Sequence, residues 1–302
     1  MIRTGHFFEI GHGLRLHCAL SGDASRPLML MLHGFPEFWF AWRELIPHFS
    51  DQFFVAAPDL RGYNLSSAPP ELEAYRIERL VADIDALLAG MGRERCVLVA
   101  HDWGGALAWS YAIARPQRVS RLIILNAPHP FLFAQALAAD PEQQQASGYM
   151  NWLRRAGSED ILAQDEFRRL DGVFAGAAGS WFKAEVRAAY HQAWAQPERL
   201  RGAVNWYRAT PLHPPEAGQP GAARLRLDEA QFRVEVPTLV IWGEQDTALL
   251  PRLLDGLDRF VSRLQIVRIA GASHWLIHEQ PDSIAEFIRQ FLNDTSQTGD
   301  LP

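Results

Sequence analysis

Asp102 sits where an apolar run, Val97-Leu98-Val99-Ala100, gives way to His101-Asp102-Trp103-Gly104-Gly105. When a strand turns abruptly into a helix, the residue at the turn is pushed out of the backbone into a pocket, provided its neighbours are small enough to relieve the crowding. Ala100 and Gly104 are those small neighbours. Most such turns present serine or cysteine to an acyl carbon, where a carboxylate would form only a mixed anhydride. At an alkyl carbon bearing a good leaving group a carboxylate instead forms an ester that water can later cleave, which is covalent catalysis in two steps. An aspartate here therefore points to an epoxide or a carbon-halogen bond as the electrophile. The competing reading is that Asp102 only caps the helix that starts near Trp103, a role aspartate fills well.

With 302 residues, 48% of them hydrophobic, the chain can bury a large core and fits one α/β domain with room for a subdomain. A net charge of -6 argues against nucleic acid or an anionic membrane surface as a partner. The two cysteines, Cys18 and Cys96, lie far apart and lack metal-ligand spacing, so packing roles are expected, with neither a disulfide framework nor a metal site. The first eight residues are too poor in apolar side chains for a signal-peptide core, and no later run is long enough to span a bilayer. The expected location is the cytoplasm. The 10 tryptophans and 17 phenylalanines suit a cavity for an apolar ligand, and equally an ordinary core. Oligomeric state is left open.

To present Asp102 at a turn, the chain needs a sheet. Short apolar runs occur at Leu14 to Leu20, Pro27 to Leu32, Phe53 to Ala57, Cys96 to Ala100, Leu122 to Leu125, Pro237 to Trp242 and Leu264 to Ile269. Runs of this kind suit strands covered on both faces of a mostly parallel sheet. Ile77, Leu80, Val81, Ile84, Leu87 and Leu88 mark one face of a helix that Gly90 and Gly92 end. The alternation gives an α/β architecture, with a core over residues 1–130 and 235–296. Over 131–234 the strand rhythm stops and a helical lid is expected, with a loop from Pro211 to Gly221. Residues 297–302 form a polar tail.

Four separated segments carry a family resemblance: His33-Gly34-Phe35-Pro36, His101-Asp102-Trp103-Gly104-Gly105, Gly243-Glu244-Gln245-Asp246 and Ser273-His274-Trp275. Together the chain resembles the α/β-hydrolase fold, in its epoxide hydrolase and haloalkane dehalogenase branch. The resemblance covers nearly the whole chain, and the order nucleophile, acid, histidine is that of the fold. It implies Asp102 as nucleophile, His274 as general base and Asp246 as the acid that orients it. A neutral imidazole near pH 7 would take the proton from water. His278 and Glu244 are the neighbouring rivals for the last two roles. The backbone N-H groups of Phe35 and Trp103 would form an oxyanion hole, and His33, Phe35 and Trp103 would contact substrate. Asp59 to Ser66 resembles a family motif in which glycine often stands at Asn64, and asparagine tolerates the left-handed backbone such a position needs. That segment and Asn126 to Pro130 are expected to be scaffolding.

The leaving group should be decided in the lid. Epoxide opening needs a proton donor at the ring oxygen, and in the epoxide hydrolases two lid tyrosines supply it. Asn205-Trp206-Tyr207-Arg208 is closely similar to the family's segment, Ser147-Gly148-Tyr149-Met150 is a looser match, and Tyr190 is a third candidate. Halide departure would use N-H donors instead. Trp103 occurs in both branches, Phe35 stands where many dehalogenases carry asparagine, and Trp152, Trp181 or Trp194 could supply a lid indole. The resemblance thus implies an epoxide hydrolase that turns a small apolar epoxide and water into a vicinal diol, without metal or organic cofactor. Haloalkane dehalogenase is the enzymatic alternative, and a ligand-binding protein on a hydrolase fold is the non-enzymatic one.

Overall fold

The apolar runs form strands because the sheet is covered on both faces. In a computed structural model, which describes residues 1–175 and 181–294, eight strands form one sheet: β1 (Arg3–Glu9), β2 (Arg15–Ser21), β3 (Leu28–Leu32), β4 (Phe54–Pro58), β5 (Cys96–His101), β6 (Val119–Leu125), β7 (Thr238–Gly243) and β8 (Leu264–Ile269). Their order is β1-β2-β4-β3-β5-β6-β7-β8. β2 is antiparallel to both β1 and β4, and the remaining pairs are parallel. Every residue of β3, β4, β5, β6 and β7 is buried, which is why these strands read as unbroken apolar runs. The α/β-hydrolase architecture expected from the sequence is the one observed.

β1 is not foreseen by any apolar run. Six of its seven residues are exposed, and it pairs only with β2 at the sheet edge, so pairing rather than burial defines it.

Helix α1 (Ile77–Gly90) buries Leu80, Val81, Ile84, Leu87 and Leu88, whereas Ile77 at its start remains 38% exposed. Asp83 on the same buried face is neutralised by Arg61, whose Nε lies 2.9 Å from Oδ2. Helix α2 (Asp102–Ala114) leaves directly from β5. Between β6 and β7 run α3 (Pro130–Ala139), α4 (Pro141–Ala146), α5 (Gly148–Leu153), α6 (Ser158–Ala175), α7 (Ala184–Trp194) and α8 (Arg199–Ala209). α6 is two helical pieces, because Asp165, Glu166 and Phe167 turn to φ of 51°, 54° and 63°. The stretch from Pro211 to Gly221 holds no helix beyond the turn that starts at Gly221, with a single bridge between Glu216 and Gln219.

After β8 the sequence suggests one helix with Glu279 and Pro281 in its first turn. The structure divides it into α9 (Leu276–Glu279) and α10 (Pro281–Asn293), with Gln280 between them at φ -140° and ψ 52°. A residue preceding proline is disfavoured in the helical region, so the chain breaks there. Glu279, at the end of α9, accepts hydrogen bonds from the Ser273 backbone N-H at 2.8 Å and the Ser273 hydroxyl at 2.6 Å. The expected tail at 297–302 lies outside the described residues.

α8 reaches the core through a backbone-to-backbone approach. A Cβ on Gly202 would come within 2.6 Å of Gly62 Cα, and one on Gly62 within 2.8 Å of the Gly202 carbonyl carbon. Gly62 also has φ of 90°. The Trp206 indole donates to the Arg61 carbonyl at 2.8 Å, so the same loop holds α8 at two points. This seat sets the height of Tyr207, one residue further on. Gly202→Ala should therefore lower stability by about 1–3 kcal/mol, the usual cost of overpacking, as read from the urea midpoint. Gly148→Ala, where nothing lies within 4 Å of the added atom, should stay within about 0.5 kcal/mol of the parent protein.

Candidate active site

Asp102 has φ of 49°, a left-handed conformation that costs a non-glycine residue free energy. The surroundings leave room for it and for little else. A Cβ on Gly34 would fall 2.5 Å from Asp102 Oδ1, and one on Gly104 would overlap the Leu32 and His33 carbonyls. The turn therefore brings the Asp102 carboxylate against the loop after β3, where the Phe35 N-H donates to Oδ1 at 2.7 Å. Asp102 does lie in the first turn of α2, but its carboxylate caps no N-H of that helix among the described bonds.

His274 Nε2 lies 3.7 Å from Asp102 Oδ2, and His274 Nδ1 lies 2.7 Å from Asp246 Oδ2. Asp246 is held from several sides. Its Oδ1 accepts from the Ala248 and Leu249 N-H groups at 2.9 and 2.8 Å, and its Oδ2 accepts from the Asn126 amide at 2.6 Å. Burial alone would raise the Asp246 pKa, but His274 and these donors hold it below the ordinary carboxylate value. Burial opposes a charge on His274 too, yet the carboxylates of Asp246, Asp102 and Glu37 outweigh it and push its pKa up to about 9. Anions facing both ring nitrogens thus favour the protonated form of the imidazole, against the neutral form expected at pH 7.

The two rivals are occupied elsewhere. His278 Nε2 meets Glu37 Oε1 at 2.6 Å, and Glu244, 41% exposed, lies 3.7 Å from Arg268.

Asp102, Trp103, Tyr149 and Tyr207 share the wall of one cavity of about 790 Å³. The ring centroids of Tyr149 and Tyr207 are 6.1 Å apart, and Tyr207 stands edge-on to Trp103 at 5.0 Å and to Phe35 at 5.2 Å. The protein packed around the cavity raises both phenols above their ordinary pKa even though Tyr149 is 37% exposed, with Tyr149 and Asp102 adding to the effect on Tyr207 and Asp102 and Asp246 to that on Tyr149, so both hydroxyls stay protonated donors. Tyr190, the alternative to Tyr149, is fully buried and donates to Glu37 Oε1 at 2.7 Å. It takes no part in the cavity wall.

Two expected substrate contacts are not found at the cavity. His33 is fully buried; its Nδ1 donates to the Gly34 carbonyl at 2.8 Å, and its Nε2 accepts from the Leu60 N-H at 3.0 Å. Both ring nitrogens are spent holding loops. Phe35 is 7% exposed with its ring outside the wall, and contributes its backbone N-H. The lid tryptophans considered for halide binding are also absent from the wall: Trp194 donates to the Pro36 carbonyl at 2.6 Å, and Trp181 stacks on His278 at 4.0 Å. Trp152 is likewise not on it, and Trp206, which is, donates to Arg61.

Sequence reasoning missed Glu37. Fully buried, it sits among His278, Tyr190 and His101, with His101 Nδ1 at 3.4 Å. Burial disfavours its charge, but His278 and His101 overcome this and hold its pKa well below the usual value. His101 in turn reaches the His274 carbonyl at 2.8 Å. Nothing local marks a buried carboxylate here, because its partners come from three distant segments. Asn126, taken as scaffolding, was also underestimated: besides Asp246 it accepts from the Gly243 N-H at 2.8 Å through its side-chain oxygen, and its φ is 39°. Asn64 adopts φ of 40°, as a position that often carries glycine requires.

Among the described residues, no group of three or more His, Cys, Asp or Glu could hold a metal ion, and no helix is long and apolar enough to cross a membrane.

A family model described as the alpha/beta hydrolase fold matches residues 27–281. Epoxide hydrolase 4 of Mus musculus is 33% identical over 297 residues, covering 94% of this chain and 78% of that protein. Epoxide hydrolase 3 of Xenopus tropicalis is 35% identical over 292 residues, covering 93% and 76%. A solved Bacillus megaterium epoxide hydrolase in complex with an inhibitor superposes with a TM-score of 0.87 at 34% identity, covering 96% of this chain and 100% of that one. The fold, the elbow and these similarities converge: the chain belongs to the α/β-hydrolase fold family, in its epoxide hydrolase branch.

Proposed function

We propose that the protein hydrolyses epoxides to vicinal diols through an ester on Asp102. The observation that carries this reading is the shared cavity wall of Asp102, Tyr149 and Tyr207, which puts a carboxylate and two protonated phenols around one bound molecule. Asp102 Oδ1 is engaged by the Phe35 N-H, which leaves Oδ2 as the attacking atom. Oδ2 bonds to a ring carbon, the carbon-oxygen bond of the epoxide breaks, and the departing oxygen takes a proton from a tyrosine hydroxyl. Water activated by His274 Nε2 then adds to the ester carbon. The developing negative charge on Oδ1 is met by the N-H groups of Phe35 and Trp103, the latter in the first helical turn where no intrahelical acceptor exists. Cleavage between the ester carbon and Oδ2 releases the diol as Oδ2 takes the proton still on the added water oxygen, and that oxygen remains in the regenerated Asp102 carboxylate.

The carboxylates around His274 order these steps. While Asp102 is ionised, it helps hold the imidazole as a cation, which cannot act as a base. Esterification removes that charge, and burial, which favours the neutral ring, then meets less opposition. The base forms once there is an ester to hydrolyse, as the imidazolium gives up a proton and the tyrosinate left by ring opening regains one. In this reading 131–234 form the lid, and the core of 1–130 with 235–296 supplies Asp102, Asp246 and His274. A halide reading finds less support, since Trp103 is the one wall tryptophan whose indole is not committed to a backbone carbonyl.

Single turnover in oxygen-18 water should give unlabelled diol and labelled Asp102; label in the first diol would exclude attack by Asp102. Tyr207→Phe should lower the rate of ring opening about 10²-fold or more, with Tyr149→Phe similar and the double variant worse, as measured by pre-steady-state diol or ester formation. Retention of the parental rate in both single variants would remove the tyrosines from the chemistry. In an imidazole NMR titration, Asp102→Asn should lower the His274 pKa below the value of about 9 in the parent protein, because one of the anions that raises it is gone. An unchanged value would contradict the charge-gated base.

A further inference from the structure

The cavity, of about 790 Å³, extends beyond the residues around Asp102, and one helix face runs along it. α2 is apolar on most sides and buries Leu107, Ala108, Trp109, Tyr111 and Ala112. Trp103, Ala106, Ser110 and Ile113 instead follow one another at three- and four-residue spacing, are only partly buried, and all lie on the cavity wall. This spacing makes a single stripe along the helix. It starts beside Asp102 and, at 1.5 Å per residue, runs about 16 Å to Ile113. Its middle carries small side chains, Ala106 and Ser110, so the groove is deep where a bulkier residue would fill it.

Pro211, Leu212, Leu225 and Leu227 contribute to the same wall, as do Ile77 and Leu80 from α1. Two of the hydroxyl groups on the wall are already engaged. Ser110 Oγ donates to the Ala106 carbonyl at 2.9 Å, and the Tyr75 hydroxyl donates to the Pro69 carbonyl at 2.9 Å. Apart from Asp102, the charged residues on the wall are Arg76 and Glu78. Both are exposed, and Arg76 is paired with Glu73 at 2.9 Å. A molecule lying on this stripe therefore meets mostly apolar surface, with charge from Asp102 at its start and from the exposed Arg76 and Glu78.

We propose that the groove along α2 is the subsite for a long, uncharged alkyl tail, making the preferred substrate a terminal epoxide whose chain extends from Asp102 past Ala106 and Ser110 toward Ile113. This rests on the epoxide hydrolase reading and specifies its substrate class. The occupant is the substrate itself, because the stripe is continuous with the carboxylate and enclosed by the same wall as Tyr149 and Tyr207.

The test is kcat/KM over a series of terminal epoxides from epoxybutane to epoxydodecane, each held below its aggregation limit, with the parent protein and with Ser110→Phe and Ala106→Leu. At roughly 0.8 kcal/mol per buried methylene the upper limit is about fourfold per carbon. The parent protein should gain at least about a hundredfold across the series, consistent with that limit. The long-to-short ratio should fall tenfold or more in Ser110→Phe and less in Ala106→Leu. Using the ratio removes any general loss of folded or active enzyme, and the parental series needs no variant. A flat parental series, or a ratio unmoved by both substitutions, would overturn the tail subsite while leaving epoxide hydrolysis standing. Absence of turnover at every chain length would overturn the epoxide reading and the subsite with it.

Discussion

The site depends on one backbone constraint: Asp102 is forced into a left-handed conformation at the end of β5, with φ of 49°. That geometry aims its carboxylate away from the helix it begins and toward the loop after β3. It is tolerated because Gly34 and Gly104 have no side chain where Asp102 and the β3 carbonyls approach. A strained residue of this kind costs about 1–3 kcal/mol and persists only when its surroundings leave no alternative. Here the fully buried parallel strands on both sides provide that rigidity. Stability from the sheet is thus converted into the exposure of one reactive group.

Around that carboxylate the protein gathers further negative charge. Asp246 and Glu37 are both buried and both remain anionic, each because histidines and hydrogen-bond donors outweigh the penalty of burial. His274 lies among these groups, and their charges push its pKa up to about 9 against the effect of burial. The tyrosines experience the same field with the opposite consequence, for negative charge and burial together keep a phenol protonated. In the mechanism we propose, one electrostatic environment thereby prepares the proton donors for ring opening and postpones the base to the hydrolytic step.

Much of this was legible in the sequence where the signal is local. Buried strands announce themselves as apolar runs, and the small residues around Asp102 report a tight turn within five positions. Asp246, His274 and Tyr207 stand in short segments with recognisable neighbours. What stayed hidden is set by long-range packing. β1 is a strand because β2 pairs with it, and its exposed residues have no reason to alternate. Glu37 follows a visible motif, but its role arises from His101, His278 and Tyr190, brought together from separate parts of the chain. His33 stands in a visible motif, yet only its two hydrogen bonds reveal that it braces loops rather than facing a ligand. The raised pKa of His274 is hidden for the same reason, since a pKa belongs to an environment and not to a residue type.

The covalent ester is the central claim, and intact mass measures it directly. His274→Ala lacks the base for hydrolysis, so after brief exposure to an epoxide it should gain the full mass of that epoxide. The gain should disappear when Asp102→Asn is added. Diol production by His274→Ala with no adduct at any time, or an adduct that survives Asp102→Asn, would contradict attack by Asp102.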